Sequence, residues 1–453
     1  MRTRRDILAT AAASLGAPQI SLAQQSVAPW FYNRATAKAA RTVLSPTNAD
    51  EAVIALVEAK KSQGSFAIRS GGHCFEGFSQ HDALQIDMGA LSGIKWASDD
   101  AITAGPGATI GDVNQFLGPS GHVLPAGFCQ GVALGGHISG GGVGLYARRF
   151  GLAADHLVSA QVVLASGQLA EASEASHPDL LWALKGGGAG SFGLVTSYSL
   201  RVRKVPRTAL LQFVWDGSAA ELAPFLADWH RLAESLPRAF GAVMFLRHMG
   251  AGRLVAELYL QSTAADEITR DIAGRFYALR QPVADPDVKI GPPHQIADAI
   301  WSRSHNPTEN VKIMSDYLKE PVPTVVWLRF LEKLEISPTL ETTVALDLLG
   351  GAVDEHEPSA TSYPHRGTGQ MLAQFILNLR DTDPSDQLAR LRSLKDTLAD
   401  YASGGVYSNY PDRELHDYAS RYWGENLPRL QSVKAKYDPE NLFRHPQSVP
   451  LPS

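Results

Sequence analysis

Three stretches of this chain combine reactive side chains with unusually free backbone. The first is Arg69-Ser70-Gly71-Gly72-His73-Cys74-Phe75-Glu76-Gly77. A short apolar run, Phe66-Ala67-Ile68-Arg69, delivers the chain into two glycines. Glycine admits the angles that turn successive N–H groups toward one point, and such a nest suits a pyrophosphate. His73 stands at its rim, although a histidine in a glycine turn is by itself an ordinary solvated residue. The second stretch runs from Gly127 to Gly144 and holds Cys129, Val132, Gly135, Gly136, His137, Gly141 and Gly142. So much glycine lets main chain lie against a flat ligand. Its end, Gly142-Val143-Gly144-Leu145-Tyr146-Ala147, formally matches a dinucleotide fingerprint. No apolar strand precedes it and no acidic residue closes a βαβ unit about 20 residues on, so that reading is rejected. The third stretch, Asp179 to Gly188 and on to Phe192-Gly193, is another glycine loop, entering a strand over 194–202.

The elements that must position these loops follow two textures. Before residue 206, glycine loops alternate with short elements. Val53, Leu56, Val57 and Lys60 keep helical spacing after the capping run Ser45-Pro46-Thr47-Asn48, and Gly64 stops them. Phe66–Arg69 reads as a strand, as do Leu84, Ile86 and Met88 with their period of two. Strands over 158–164 and 168–170 flank the turn Ala165-Ser166-Gly167, a hairpin. After Val205-Pro206-Arg207 the glycines thin and longer alternation begins. Strands are expected at 210–214, 253–261, 343–349 and 371–379, and helices at 221–236, 265–277 and along Leu388, Leu391, Leu394 and Leu398. The class is α+β, a sheet with helices on one face.

Composition narrows the function. At 453 residues the chain exceeds one ordinary core, which favours two domains. A hydrophobic fraction of 44% with 19% charged residues is that of a soluble globular protein. The net charge of -5 gives no footprint for nucleic acid, and no apolar stretch reaches membrane-spanning length. The 14 histidines include no His-Glu-x-x-His and the cysteines no Cys-x-x-Cys, so no metal site is expected. No Gly-x-Ser-x-Gly elbow surrounds Ser139 or Ser191. Two cysteines, Cys74 and Cys129, exclude a disulfide scaffold but allow one disulfide. At the N-terminus, Thr3-Arg4-Arg5, an apolar run from Ala9 to Ala17 and Ser21-Leu22-Ala23 occur in the order of a twin-arginine signal with its cleavage site. Residues 1–23 are therefore expected to address the protein to the twin-arginine export machinery, and so to the periplasm or the medium.

The three glycine-rich stretches, in this order, resemble the FAD domain of the berberine bridge enzyme-like oxidases, within the vanillyl-alcohol oxidase and p-cresol methylhydroxylase-type fold. Tyr407-Ser408-Asn409-Tyr410-Pro411-Asp412 resembles that family's active-site strand. Tyr422-Trp423-Gly424-Glu425-Asn426, Arg429-Leu430, Lys434 and Tyr437-Asp438-Pro439-Glu440-Asn441-Leu442-Phe443 resemble its closing segment. The likeness spans roughly residues 40–448. It implies a two-part FAD-binding domain, 24–206 rejoined by 413–453, around a substrate domain, 207–412, with an antiparallel sheet covered by helices.

The resemblance also assigns roles. His73 matches the histidine linked to the flavin 8α-methyl carbon and Cys129 the cysteine linked to flavin C6. A neutral imidazole and a thiolate can each add to an electron-poor ring, and an adjacent cation or local N–H dipoles would help form the thiolate. A Cys74–Cys129 disulfide is the alternative fate of that cysteine. Arg69, Ser70, Gly71, Gly72, Gly135, Gly136, Gly141, Gly142 and Asn409 fall in the cofactor-binding stretches, and His137 matches a histidine that hydrogen-bonds the flavin. Tyr410 matches a base that takes a substrate hydroxyl proton, with Tyr407 beside it. A free phenol has a pKa of about 10, so the site must stabilise the phenolate or transfer must be concerted. Gln374 falls where relatives place a glutamate, aspartate or glutamine, and an amide can only orient substrate. Val132 borders the flavin face that dioxygen approaches. The expected activity is oxidation of an alcohol, such as a sugar hydroxyl, with dioxygen as acceptor. Oxidation of a secondary metabolite, a dehydrogenase with another acceptor, a nicotinamide-dependent reductase and a catalytically silent flavin binder are the alternatives.

Overall fold

The computed structural model describes residues 31–61, 66–300, 309–367, 369, 371–380 and 383–452. The twin-arginine segment and Gly64 lie outside them.

The first part of the chain builds a three-stranded and a five-stranded sheet, with a two-stranded pair of His122–Val123 and Arg203–Lys204 beside them. Thr42–Leu44, Leu84–Asp87 and Phe66–Arg69 form a parallel three-stranded sheet, with Leu84–Asp87 at its centre. The helix Ala49–Lys61 buries Ala52, Ala55, Leu56 and Ala59 against this layer. A second, antiparallel sheet runs in the order Ile94–Ser98, Ala101–Ala104, Leu194–Arg201, Leu157–Val163, Leu169–Ser173. Its last two strands form the hairpin expected around Ser166-Gly167. Met88 does not extend the strand before it. Asp87 instead caps a 3-10 turn over Met88–Ala90, accepting from the Gly89 N–H.

From Thr208 the chain enters a seven-stranded antiparallel sheet. Its order is Asp287–Gly291, Thr208–Gly217, Leu254–Ser262, Phe240–His248, Thr342–Leu348, Met371–Asn378, Val311–Leu318. Side chains alternate across a strand, so each strand serves two layers. On one side Phe213, Trp215, Met244, Leu258, Leu346 and Phe375 join a core under the helices Ala219–Glu234, Asp266–Leu279, Thr324–Glu335 and Ser385–Asp396. The four long helices cover that face, while the short helix Pro293–Ile300 sets Ile300 against Phe245 and Tyr259 on the other. The opposite face carries Phe245, Asp347, Gln374 and Ile376 toward the first part of the chain.

The C-terminal helices Tyr418–Trp423 and Leu427–Tyr437 return to the first part, where Tyr422, Trp423, Leu430 and Val433 enter its core. Lys434 is fully buried there and bonded to Asp438 at 2.6 Å and to the carbonyls of Ser191 and Phe443 at 2.7 and 2.5 Å. A buried charge survives only when so completely paired. No helix among the described residues is long and apolar enough to cross a membrane.

Candidate active site

One large cavity lies between the two parts. Glycine-rich main chain forms one wall: Ser70 to His73, Gly135, Gly136 and the loop Gly188–Gly190. The facing wall is the free side of the seven-stranded sheet, with Phe245, Asp347, Gln374 and Ile376. The segment Tyr407–Pro411 closes the junction.

The glycines are required where backbones meet. A Cβ at Gly71 would stand 2.7 Å from the Ala133 Cβ, and one at Gly135 would stand 2.2 Å from the Ser70 hydroxyl. Gly72 has φ of +73°, which brings His73 to the rim. A Cβ at Gly136 would meet nothing, so this stretch lies open to a ligand. Arg69 is different. Its guanidinium turns to Asp87, at 2.9 and 3.0 Å, and is not among the cavity-lining residues. Gly141 and Gly142 likewise do not line it. They pack on Tyr363 and Ala153, and their sharp turn aims N–H groups at Tyr407.

His73 and Cys129 open on this same cavity. The Tyr32 ring stacks on His73 with centroids 4.1 Å apart. Burial pulls the His73 imidazole down to about 4, so it is neutral at physiological pH and has a lone pair to offer. The surroundings of Cys129 work against a thiolate. Burial, and then the Asp347 carboxylate, push its thiol up to about 12. Cys74 and Cys129 are both free thiols. His137 is held neutral by burial, at about 4, and its Nε2 accepts the Gly127 N–H at 3.0 Å, which leaves Nδ1 to carry the proton. The Val132 N–H donates to the Cys129 carbonyl and its own carbonyl accepts from Ile110, at 3.1 and 2.9 Å.

Tyr407 and Tyr410 lie on a turn, not on the strand expected, because the Tyr410 N–H closes back on the Tyr407 carbonyl at 2.8 Å. Their environments divide their roles. The Tyr407 oxygen accepts from the Gly142 N–H at 3.0 Å, the Val143 N–H at 3.2 Å and the Asn409 amide at 3.0 Å. Those donors leave it little capacity for a substrate. The Asn409 amide also donates to the His137 carbonyl at 3.1 Å. The Tyr410 hydroxyl accepts or donates no hydrogen bond among the described residues, and the residue lines the cavity. Burial first, then the charge of Asp347, push its pKa well above the usual phenol value.

Asp347 is the residue that sequence reasoning missed. It is buried on the cavity face of Thr342–Leu348, one strand over from Gln374, whose amide donates to it. Burial raises its carboxyl to about 7, opposed in part by that bond. A carboxylate thus stands beside the amide that alone could only orient. The signal was a lone acid on an otherwise apolar strand. Tyr32 and Phe75, which flank His73, carried no such signal.

The residues fit a flavin: a glycine wall for a flat, phosphate-bearing ligand, two nucleophilic side chains at the rim, and a proton acceptor opposite. The FAD binding domain family matches residues 40–173, and the berberine and berberine-like family matches residues 406–450. Chitooligosaccharide oxidase of Gibberella zeae is 30% identical over 430 residues, covering 88% of this chain and 85% of its own. Berberine bridge enzyme-like Cyn d 4 of Cynodon dactylon is 29% identical over 446 residues, 90% of this chain and 84% of that one. The solved berberine bridge enzyme of Eschscholzia californica superposes with a TM-score of 0.84 at 22% identity, over 90% of each chain. The fold is therefore the α+β, p-cresol methylhydroxylase-type FAD-binding fold, and the chain belongs to the berberine bridge enzyme-like FAD-linked oxidoreductases.

Proposed function

We propose that this protein oxidises an alcohol carbon of a hydroxyl-rich substrate such as a sugar, using FAD attached at His73 and Cys129 and dioxygen as the final acceptor. The observation that carries the reading is the convergence of Tyr410, Asp347 and Gln374 on the cavity that His73 and Cys129 also face. The chitooligosaccharide oxidase relative supports the substrate class. When bound, FAD supplies the hydride acceptor and passes the electron pair to dioxygen, giving hydrogen peroxide.

The chain's own part is positioning and proton transfer. Tyr410 receives the hydroxyl proton as the carbon–hydrogen bond is lost, so the alcohol becomes a carbonyl compound. Its raised pKa means that it cannot act as a standing phenolate; proton transfer is concerted, with Asp347 as the final holder of the proton. Gln374 fixes the carboxylate through its donated bond and presents its amide oxygen to the substrate. His73, already neutral, is ready to form its link; Cys129 must first lose its proton, against the burial and the Asp347 charge that hold it on the sulfur. The leading Thr3-Arg4-Arg5 segment belongs to the same reading: it directs the folded protein out of the cytoplasm, to the periplasm or the medium.

The test follows flavin bleaching by a panel of mono- and oligosaccharides and other alcohols under anaerobic conditions. At least one saccharide should bleach the wild-type flavin, and Tyr410→Phe should stay folded and yellow while reducing at least about 10²-fold more slowly, the low end for a lost general base. Near-normal reduction in that variant would move the role elsewhere.

A further inference from the structure

Lys312 stands on Val311–Leu318, the edge strand of the substrate-side sheet, and its side chain is 11% exposed. Its ammonium meets two carboxylates from opposite ends of the sequence, Glu76 and, at 2.6 Å, Asp412. Glu76 lies three residues after His73. Asp412 lies two residues after Tyr410. Both carboxylates are themselves mostly buried, at 8% and 15% exposure. Arg413 adds a bond to the Glu76 carbonyl at 2.8 Å and lies 5.1 Å from the Phe78 ring.

The groups between these anchors are rings in sequence. His73 meets Phe75 with centroids 5.8 Å apart, Phe75 meets Tyr410 at 5.9 Å, and Tyr410 meets Tyr407 at 4.9 Å. Asn33 ties the same strand to the same loop: its amide donates to the carbonyls of Val311, at 2.8 Å, and Phe75, at 2.5 Å, and its oxygen accepts the Val311 N–H at 3.1 Å. The ion pairs therefore join the histidine loop and the tyrosine loop from behind, since Lys312, Glu76 and Asp412 are not among the cavity-lining residues.

We propose that Lys312 is a positioning residue, clamping Glu76 and Asp412 so that Tyr410 is held in register with the histidine that anchors the flavin. This rests on the reading of Tyr410 as the base. A buried pair of carboxylates that loses the cation between them favours a shared proton, because two close like charges repel; the half-exposed Arg413, 3.6 Å from Glu76, offsets this only in part. Besides Lys312, the groups facing that pair are Arg413, Tyr422 and Cys74. Removing the lysine thus has a pH signature. At low pH a bridging proton replaces the clamp, and at high pH the two anions repel and the loops part.

The experiment measures anaerobic flavin reduction from pH 5 to 9 in holoenzyme. Lys312→Met should lower the limiting rate about 10-fold near pH 5 and about 10²-fold near pH 9, with substrate affinity changed less than about threefold. Lys312→Arg should recover to within about threefold of wild type. Should Lys312→Met fold poorly, the neutral triple variant Lys312→Met, Glu76→Gln, Asp412→Asn removes the stranded charges; it should be slow at every pH. In a Tyr410→Phe background Lys312→Met should add little. A pH-independent loss in Lys312→Met, a fast triple variant, or a full additional loss in the Tyr410→Phe background would each overturn the clamp. Wild-type reduction by Tyr410→Phe alone would overturn the base assignment, and the clamp's purpose with it.

Discussion

Asp347 is one buried carboxylate on which the proposed chemistry and a pH response would both depend. Burial raises it to about 7 from an unfolded value near 3.9. A folded value above the unfolded one means that the folded state favours the protonated form. The associated stability is complete below about pH 4 and is lost as pH rises through 7. The wild-type rate of flavin reduction should rise through about pH 7 as the carboxylate forms. Asp347→Asn should abolish that limb, lower the rate at pH 8 at least about 10-fold, and raise Tm at pH 8 while gaining little at pH 4. Thermal melts and stopped-flow rates across that range check both halves; a variant that keeps the alkaline rise would clear Asp347 of the role. His73, Cys129 and Tyr410 stood out because the segments that hold them resemble those of a known family. Asp347 did not, since the run Val344-Ala345-Leu346-Asp347-Leu348 reads as a core strand, and only cross-strand pairing shows which face is the cavity.

At the scale of elements, the glycine stretch 127–144 is a rigid frame. Its bonds to Ile110 and within the Cys129–Val132 turn fix where the Val132 side chain can lie. Val132 is partly buried against the neighbouring core and lines the cavity. A short β-branched side chain on a fixed loop leaves room that one further methylene would fill, and a packed surround adjusts little. Val132→Leu should slow reoxidation of the reduced enzyme in aerated buffer about 10-fold or more and barely change its reduction. Reduced wild type that persists for minutes in air, yet reacts at once with a quinone dye, would make the enzyme a dehydrogenase. The same scale explains what periodicity did not reveal. The strands Phe240–His248 and Val311–Leu318 are covered on both faces, so they lack clean alternation. Lys312, Ser315 and Asp316 interrupt the second with polar residues whose partners come from distant chain. Tyr407–Tyr410 reads as a strand by composition, and the bonds of Asn409 make it a turn.

For the whole molecule, the cavity is assembled from both parts of the chain, and attachment of the flavin would bind them to one cofactor. Acid-precipitated holoenzyme should stay yellow, and a tryptic digest should place flavin mass on the peptides holding His73 and Cys129. His73→Ala and Cys129→Ala should each retain flavin through the other link; a colourless wild-type pellet would refute both attachments. The α+β class and its two textures could be read before any coordinates, because glycine density and helical or twofold spacing are local properties. The closing of the first part by residues near the C-terminus is not local, and rested on resemblance. That closure has a consequence for how the cofactor is held. Phe443 and His445 line the same cavity as Ser70 and His73, and Lys434 secures them. Until this returning segment is seated, that cavity wall lacks one side. FAD capture should therefore depend on the returning segment, and loosening its anchor at Lys434 should weaken flavin retention before it weakens the substrate-side sheet.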